Sequence, residues 1–388
     1  MKDIVIVSTA RSPIGKFGGM FKDVSAVELG SNVIKTALQR ANISPESVDQ
    51  VILGNVLQAG LGQNPARQAA IHAGIPHSAP AMTVNEVCGS GLKAVILGRQ
   101  AIQLGEATTV VVGGTENMTQ APLLLNRYDK EAFAPEKLTD SMFFDGLTDA
   151  FGHYAMGITA ENAADHHHIT REQQDLFAYE SQQKAAKAQQ EGLFDKEISP
   201  VTLADGTVVT RDESIRPQTT LEKLSTLKTV FKREGSVTAG NSSTINDGAS
   251  ALVLMDKETA IAQNIPYLAT IKASAEIGMD PAMMGYAPFY AVNALLEKAD
   301  LSIDKIDLFE LNEAFAAQSL AVVTDLKIPA NKININGGAI ALGHPIGASG
   351  ARILTTLITN LEQTNTHTGI AGLCVGGGIG LALLVTRD

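Results

Sequence analysis

Short apolar runs alternate along the chain with segments in which apolar residues recur every three or four positions. The runs predict strands over residues 4–8, 51–57, 82–87 and 108–112. The helical periodicity predicts helices over residues 27–42, 66–73 and 91–104. Strands and helices that alternate with short connections are typical of an α/β fold with a largely parallel sheet, which we expect here.

The pattern changes in the middle of the chain. Several prolines interrupt this part, and a polar helix rich in Gln, Lys and Ala is predicted over 171–192. The alternation of strands and helices resumes at Ala249. We therefore predict three domains: a first α/β half over 1–118 and 246–267, an inserted loop domain over 119–245, and a second half over 268–388.

The second half resembles the first in sequence. Three segments match in the same order in both halves: those beginning at Ile43 and Leu301, at Ser90 and Ser349, and at Val111 and Cys374. We interpret the matches as a duplication, and a chance similarity of short α/β segments is the alternative. A duplicated βαβ unit brings the carboxyl ends of both sets of strands near a pseudo-twofold axis, where one site can be built from both halves.

Composition and charge exclude several classes of protein. The chain has 388 residues, of which 45% are hydrophobic, so it can bury a large core. Its net charge of −11 argues against nucleic acid as a partner, because neutralising phosphates needs a basic surface. We find no apolar stretch long enough to span a bilayer and no targeting segment, and we expect a cytoplasmic protein that does not bind membranes.

Two cysteines, Cys88 and Cys374, are too few for a disulfide scaffold or a four-cysteine zinc site. They can form one disulfide, serve as inert core thiols, or react. Cys88 lies between a predicted strand and a helix that begins at Ser90 or Gly91. Backbone N–H groups and the helix dipole at such a turn favour a thiolate. The arrangement is analogous to the nucleophile elbow of serine hydrolases, although the motif differs. A buried structural thiol is the alternative.

His344 lies in a run of closely spaced glycines, is followed by Pro345, and precedes a helix predicted from Ala351. An imidazole held rigidly before a helix is a candidate general base. A loop histidine without a chemical role is the alternative. The run could also cradle a phosphate, but it matches neither the Gly-x-Gly-x-x-Gly pattern nor the Walker motif.

Cys374 ends a predicted strand that runs into a three-glycine turn, which leaves the N–H group of Gly376 free to donate. Asn312 follows a strand that ends at Leu311, where it can cap the next helix or hold a water. The three consecutive histidines at 166–168 point in different directions on a helix, so we expect no metal site there. Two thiols, an imidazole, an amide and free N–H groups together indicate acyl transfer through a thioester.

At these four loops the sequence resembles the thiolase family, and the similarity extends over the whole chain. Cys88 matches the nucleophile motif, and the other family motifs match here as Asn-Glu-Ala-Phe at 312–315, Gly-His-Pro at 343–345 and Cys-x-Gly at 374–376. The resemblance implies a five-layered αβαβα fold made of duplicated βαβ halves with an inserted loop domain. It also implies a homotetramer or a dimer.

The resemblance assigns a role to each residue of the four loops. Cys88 would be the acylated nucleophile, and His344 would take its proton. Cys374 would exchange a proton with the α-carbon of a second acyl-CoA. The N–H groups of Cys88 and Gly376 would form one oxyanion hole, and His344 with a water held by Asn312 would form the other. Each such donor contributes roughly 3 kcal/mol to transition-state stabilisation.

The resemblance also extends to contacts with coenzyme A and the acyl group. These residues are Leu147, Met156, Arg216, Ala239, Ser243, Met284 and Phe315. The stretch 211–234 carries six basic and four acidic residues, a local positive excess that suits an anionic ligand. One position departs from the family pattern: Ala155 precedes Met156 where the short-chain branch commonly has histidine, and His153 lies two residues earlier.

The activity implied by the resemblance is an acyl transfer between thioesters. Two acetyl-CoA molecules would give acetoacetyl-CoA and CoA, or the reverse, with CoA as a substrate and no tightly bound cofactor. Within the family, a 3-ketoacyl-CoA thiolase of broader chain length is the alternative. A non-catalytic acyl-CoA- or lipid-binding protein is the alternative from another class, which the Cys, His and Cys argue against. A fatty-acid ketosynthase is disfavoured, since that branch typically uses two histidines with its cysteine.

Overall fold

The computed structural model describes residues 2–126 and 137–388. Its strands are β1 (Ile4–Arg11), β2 (Gly15–Lys16), β3 (Gln50–Gly54), β4 (Ala81–Val84), β5 (Thr109–Asn117), β6 (Leu123–Leu124), β7 (Thr139–Asp140), β8 (Val201–Thr202), β9 (Val208–Val209), β10 (Asn246–Asp256), β11 (Ala269–Gly278), β12 (Leu308–Leu311), β13 (Thr368–Val375) and β14 (Ile379–Thr386). Its α-helices are α1 (Ala26–Ala41), α2 (Pro65–His72), α3 (Ser90–Gln103), α4 (Met156–His166), α5 (Arg171–Gln190), α6 (Leu221–Ser225), α7 (Lys257–Ala262), α8 (Ala287–Ala299), α9 (Ala316–Leu326), α10 (Ala339–Leu342) and α11 (Ile346–Gln363).

The large sheet joins both halves of the chain edge to edge. Its strand order is β12-β13-β14-β11-β1-β10-β5-β3-β4, and β2 pairs with β10. The halves meet where β1 pairs with β11 in antiparallel register, with Val5 opposite Thr270. The expectation of a largely parallel sheet is wrong, because among the strand pairs of the described residues in this sheet only β3–β4, β3–β5 and β12–β13 are parallel. The three-glycine turn forces β13 and β14 into an antiparallel hairpin, and β10 returns antiparallel between β1 and β5.

The strands bury both faces, so they read as continuous apolar runs. On β1, Ile4 and Ile6 face a central core, whereas Val5 and Val7 face an outer core with α1 and α2. On β14, Leu383 likewise faces the central core, and neighbouring residues face a second outer core with α8 and α9. The central core contains α3 and α11. The layers are therefore helices, sheet, central helices, sheet and helices, which confirms the predicted five-layered αβαβα fold.

The two central helices approach each other at a pair of glycines. A Cβ atom built on Gly91 of α3 would lie 2.7 Å from the backbone nitrogen of Ala351. One built on Gly350 of α11 would lie 2.3 Å from the backbone nitrogen of Leu92. No side chain fits at either position, so glycine is required for α3 and α11 to pack this closely.

The segment between β5 and β10 carries α4, α5, α6 and two small two-stranded sheets, β6–β7 and β8–β9. A buried ion cluster attaches it to β1. The Arg11 guanidinium bonds to both carboxylate oxygens of Asp212 at 2.7 and 2.9 Å, and its Nε lies 2.5 Å from Glu197. The proposed domain boundaries, including those of the loop domain at 119 and 245, stay a prediction.

The helix limits follow local chemistry. Ser25 and Glu28 form a capping box at the start of α1, and Asn42 ends it in the left-handed conformation. Thr170 and Gln173 form a second capping box at the start of α5. None of the helices in the described residues is both long and apolar enough to cross a membrane.

Candidate active site

Four loops place the candidate residues at one end of the strands of both halves. Cys88 follows β4, Asn312 follows β12, Cys374 is the penultimate residue of β13, and His344 separates α10 from α11. The Nδ2 atom of Asn312 lies 3.5 Å from Nδ1 of His344. Cys88 packs in one apolar cluster with Ile346, at the start of α11. The fold therefore brings the residues predicted from sequence into one region.

Cys88 occupies a strained turn. Val87 has φ of +46°, a conformation that β-branched residues rarely adopt, and the Asn85 side chain fixes it by accepting from its N–H at 3.0 Å. The hydroxyl of Ser90 donates to the Val87 carbonyl and accepts from the N–H of Glu86. The turn holds the cysteine at the N-terminal end of α3, as the comparison with a nucleophile elbow suggested.

The backbone N–H groups of Cys88 and Gly376 lie near the Cys88 thiol and act to lower its pKa. Burial is the larger effect, and together with the charge of Glu116 it raises the pKa of this thiol to about 12. The expectation that the turn favours a thiolate is therefore wrong for the resting site. Cys88 is a thiol that needs a base before it can attack.

His344 is buried and uncharged at neutral pH. Burial, reinforced by the nearby positive charge of Arg352, lowers its pKa to about 3. Its backbone N–H donates to Asn246 at 3.0 Å, and its Nδ1 lies 2.6 Å from the hydroxyl of Ser349. That hydroxyl donates to the carbonyl of Pro345 at 2.9 Å, so it accepts from Nδ1–H. The lone pair of Nε2 is then free, because Nε2 has no hydrogen-bond partner among the described residues.

Cys374 lies close to Cys88 and is fully enclosed. Burial, with a smaller contribution from the charge of Cys88, raises the pKa of the Cys374 thiol above its ordinary range. Its Sγ donates to Oε1 of Gln318 at 3.2 Å. Asn312 is also buried, and its Oδ1 atom lacks a partner within the part of the chain that the structure describes. The fold thus positions both the Cys374 thiol and the Asn312 amide in a buried site.

The predicted acyl-group contacts form one apolar cluster beside Cys374. Met284 and Phe315 are buried in that cluster, and Met156 packs against it. A Cβ built on Gly376 would lie 3.6 Å from the sulfur of Met156, which connects the cluster to the Cys88 turn. This cluster is consistent with a wall beside a short acyl group.

The predicted coenzyme A contacts are more dispersed. Leu147 packs in the Cys88 cluster, and the N–H of Ser243 donates to the carbonyl of Ala314 at 2.9 Å. Ala239 is exposed on the same loop as Ser243. The backbone N–H of Arg216 donates to Gln182 of α5 at 2.7 Å. Leu147 thus lies beside Cys88, and Ser243 bonds to the Asn-Glu-Ala-Phe segment.

The departure from the family pattern falls at the start of α4. Ala155 is the N-cap of this helix and is exposed, so no side chain there replaces the imidazole. His153 adopts a left-handed φ of +54°, and its N–H donates to the Asp149 carbonyl at 3.0 Å. Its side chain is exposed.

Three residues of the site were missed from the sequence. Gln318 accepts from Cys374, and Phe231 packs against Phe315 with ring centroids 6.1 Å apart. Glu116 accepts from backbone N–H groups of two loops. Gln318 could have been found, because it is a polar residue in the apolar start of a helix that directly follows the Asn-Glu-Ala-Phe motif. Phe231 and Glu116 carry no comparable signal.

The histidine run does not assemble a site. His166 ends α4, and His167 caps it and lies 3.3 Å from Asp325 and against the ring of Tyr286. Among residues 2–126 and 137–388, no group of three or more His, Cys, Asp or Glu side chains is arranged to hold a metal ion. The chemistry available here is that of two thiols, a neutral imidazole and converging N–H groups.

Comparisons with known proteins show the family to which this chain belongs. Residues 4–258 match the family model "Thiolase, N-terminal domain", and residues 265–387 match "Thiolase, C-terminal domain". A "Probable acetyl-CoA acyltransferase" of Staphylococcus epidermidis is 50% identical over 392 residues, covering 100% of this chain and 99% of that protein. One from Staphylococcus aureus is 50% identical over 393 residues and covers all of both chains.

A solved structure shows the same fold. The crystal structure of the Bacillus anthracis acetyl-CoA acetyltransferase superposes with a TM-score of 0.97 at 43% sequence identity, over 100% of this chain and 99% of that chain. With two family models over nearly the whole sequence and the reactive residues in one region, the chain is an acyltransferase that belongs to the thiolase family.

Proposed function

We propose that this acyltransferase is an acetyl-CoA C-acetyltransferase, which condenses two acetyl-CoA molecules into acetoacetyl-CoA and CoA and catalyses the reverse thiolysis. One observation carries the proposal: N–H groups from both halves of the molecule, those of Cys88 and Gly376, converge on the Cys88 thiol with a second thiol, Cys374, close by. A nucleophile with its own oxyanion donors and a neighbouring proton carrier suits Claisen chemistry on thioesters.

The first half of the reaction acetylates Cys88. Nε2 of His344 takes the thiol proton as Sγ attacks the thioester carbonyl. The developing oxyanion is held by the N–H groups of Cys88 and Gly376. The C–S bond to coenzyme A then breaks, and the departing CoA thiolate takes a proton from the Cys374 thiol.

The second half forms the carbon–carbon bond. The Cys374 thiolate removes an α-proton from a second acetyl-CoA, and the protonated His344, with a water held by Asn312, stabilises the enolate oxygen. The α-carbon attacks the acetyl group on Cys88. The C–S bond to Cys88 breaks, and the sulfur recovers its proton from His344, so the site returns to its starting state.

The apolar cluster around Cys374 favours a substrate with a short acyl group. Met284 is only 3% exposed, and it closes the cluster around Cys374 together with Phe315 and Met156. A 3-ketoacyl-CoA thiolase of broader chain length needs space beyond this wall. We therefore place that activity second. Leu147, Ala239, Ser243 and Arg216 would hold coenzyme A along the loop segment.

Thiolysis of acetoacetyl-CoA tests the proposal. Purified protein is mixed with acetoacetyl-CoA and CoA, and loss of the magnesium enolate absorbance is followed. We expect turnover that disappears in Cys88→Ala, with acetyl-Cys88 visible by intact-protein mass spectrometry in the wild type. Absence of turnover in the wild type would sink the proposal, and full activity in Cys88→Ala would refute the assignment of the nucleophile.

Two further points belong to the proposal. The protein would act in a reducing, cytoplasmic compartment, because a disulfide between Cys88 and Cys374 would remove both reactive thiols. It would assemble as a homotetramer, or as a dimer, which light scattering after size-exclusion chromatography measures directly.

A further inference from the structure

Within residues 2–126 and 137–388, one side chain is a hydrogen-bond partner of the Cys374 thiol. Its Sγ donates to Oε1 of Gln318 at 3.2 Å, and both residues are almost fully buried, at 1% and 2% exposure. The other residues in its cluster are apolar: Ala160, Ala164, Val237, Met284, Ala314, Phe315 and Ala317. In the part of the chain that the structure describes, Cys88 is the titratable group whose charge acts on this thiol. The amide of Gln318 is therefore a polar side chain that contacts this thiol directly.

A neighbouring hydroxyl sets the orientation of that amide in the structure. Nε2 of Gln318 donates to the hydroxyl of Ser319 at 2.8 Å, which directs Oε1 toward Cys374. Gly285 packs on the stem of Gln318, since a Cβ built there would lie 2.7 Å from Cβ of Gln318. The stem of the side chain is thus held in place, and a half-turn of the nearly symmetrical terminal amide would exchange the positions of its oxygen and nitrogen.

A small cavity of about 10 Å³ adjoins this amide. It is lined by Gln318, Ser319 and Asn312 among others, so it extends from the Cys374 partner to the candidate oxyanion-hole residue. This volume is close to that of one water-sized probe.

Resting on the proposed function, we propose that Gln318 is a positioning residue that hydrogen-bonds Cys374 in both of its protonation states. In the proposed cycle, Cys374 is a thiol when it protonates CoA and a thiolate when it removes the α-proton. The thiol donates to Oε1. After proton loss the amide turns, so that Nε2 donates to the sulfur and the Ser319 hydroxyl donates to Oε1. Each group keeps a partner in both states.

The Gln318→Glu variant distinguishes this role from simple packing. A carboxylate accepts from the thiol but cannot donate to the thiolate, whereas a protonated carboxyl can do both. Because burial raises the pKa of a carboxyl group, an introduced glutamate changes state in the working pH range. We expect kcat for thiolysis to be about 100-fold below wild type at pH 9. The ratio of variant to wild-type kcat should rise at least tenfold between pH 9 and pH 6, with KM within about threefold.

Two other variants complete the series. Gln318→Leu removes both hydrogen bonds, and we expect kcat about 30-fold below wild type in a ratio that does not change with pH. Ser319→Ala removes the anchor of the amide and should reduce kcat less. Gln174→Leu is the matched control, because Gln174 is also buried and donates to a serine, at 2.8 Å from Ser236, without contacting a cysteine. It should keep wild-type kcat at every pH.

The outcomes separate this proposal from the function on which it rests. A wild type that does not cleave acetoacetyl-CoA overturns the proposed function. An active wild type with a pH-independent ratio in Gln318→Glu, or with wild-type kcat in Gln318→Leu, overturns the role of Gln318 alone. If Gln318→Leu fails to fold in a thermal melt, the near-isosteric Gln318→Glu and Ser319→Ala decide the question.

Discussion

The carboxylate of Glu116, at the end of β5, accepts a hydrogen bond from the backbone N–H of Gly347 at 2.8 Å. It also accepts from the N–H groups of Val56 and Leu57 at 3.0 and 3.1 Å. One buried side chain therefore ties the loop after β3 to the turn that follows His344. This connection between the two halves places the candidate base relative to the Cys88 turn.

The burial of that carboxylate makes stability depend on pH. Burial raises the pKa of Glu116 from 4.5 to about 7, so the folded wild type keeps a proton that the unfolded chain releases, and stability is lost as the pH rises through this range. Glutamine stays neutral, so between pH 4.5 and pH 8 Glu116→Gln should lose about 3 kcal/mol less unfolding free energy than the wild type in urea denaturation. The exposed Glu106→Gln is the control and should follow the wild type. Identical pH profiles for Glu116→Gln and the wild type would contradict the buried carboxylate.

Because His344 is buried in its neutral form, we expect the stability of the fold to fall in acid. Because burial lowers its pKa from 6.5 to about 3, the unfolded chain binds a proton below pH 6.5 that the folded chain does not. Stability present above pH 6.5 is therefore lost as the pH falls toward 3. Between pH 7.5 and 4.5, His344→Gln should lose on the order of 2 kcal/mol less unfolding free energy than the wild type. Identical losses in urea denaturation would show that this residue is not buried as a neutral imidazole.

The strained turn before Cys88 predicts an unusual tolerance of glycine. Val87→Gly removes a strained left-handed valine conformation that costs about 1–3 kcal/mol. It also loses a similar amount of stabilisation, because the valine side chain is partly buried. We expect the free energy of unfolding to change by less than about 1 kcal/mol. The same substitution at Val95, buried inside α3, should cost more than about 3 kcal/mol. Comparable losses at both positions would argue against strain at Val87.

The wall beside Cys374 predicts a change of substrate range, given the proposed function. Met284→Ala removes a buried side chain from the cluster and opens space for added methylene groups. The ratio of kcat/KM for 3-ketohexanoyl-CoA to that for acetoacetyl-CoA should rise about tenfold, since each methylene contributes about 1–3 kcal/mol. Steady-state thiolysis with both substrates measures this ratio, and an unchanged ratio would place the chain-length limit elsewhere.

Prediction from the sequence was most accurate for helices whose ends are set by residues within or next to them. The helix predicted over 91–104 is α3 (Ser90–Gln103), and the polar helix predicted over 171–192 is α5 (Arg171–Gln190). Their periodicity and flanking glycines or caps are local signals. The strand and the three-glycine turn predicted at Cys374 are likewise local features, and they form part of the β13–β14 hairpin.

Features that depend on distant partners were not predictable. The antiparallel return of β10 beside β1 joins positions more than 200 residues apart, and no local pattern encodes such a pairing. The resting state of Cys88 was misjudged for the same reason. Its turn supplies N–H groups, as expected, but the burial that raises the thiol pKa comes from residues of other loops.

The close packing of α3 and α11 at Gly91 and Gly350 has a consequence for how this enzyme can diversify. Cys88 precedes one of these helices and His344 precedes the other, and the helices meet through main-chain atoms. Substitutions in the surrounding pocket can therefore change which acyl group is accepted while the spacing of nucleophile and base stays the same. Sequence variation that preserves activity should be frequent at the pocket wall and should stop at these two glycines.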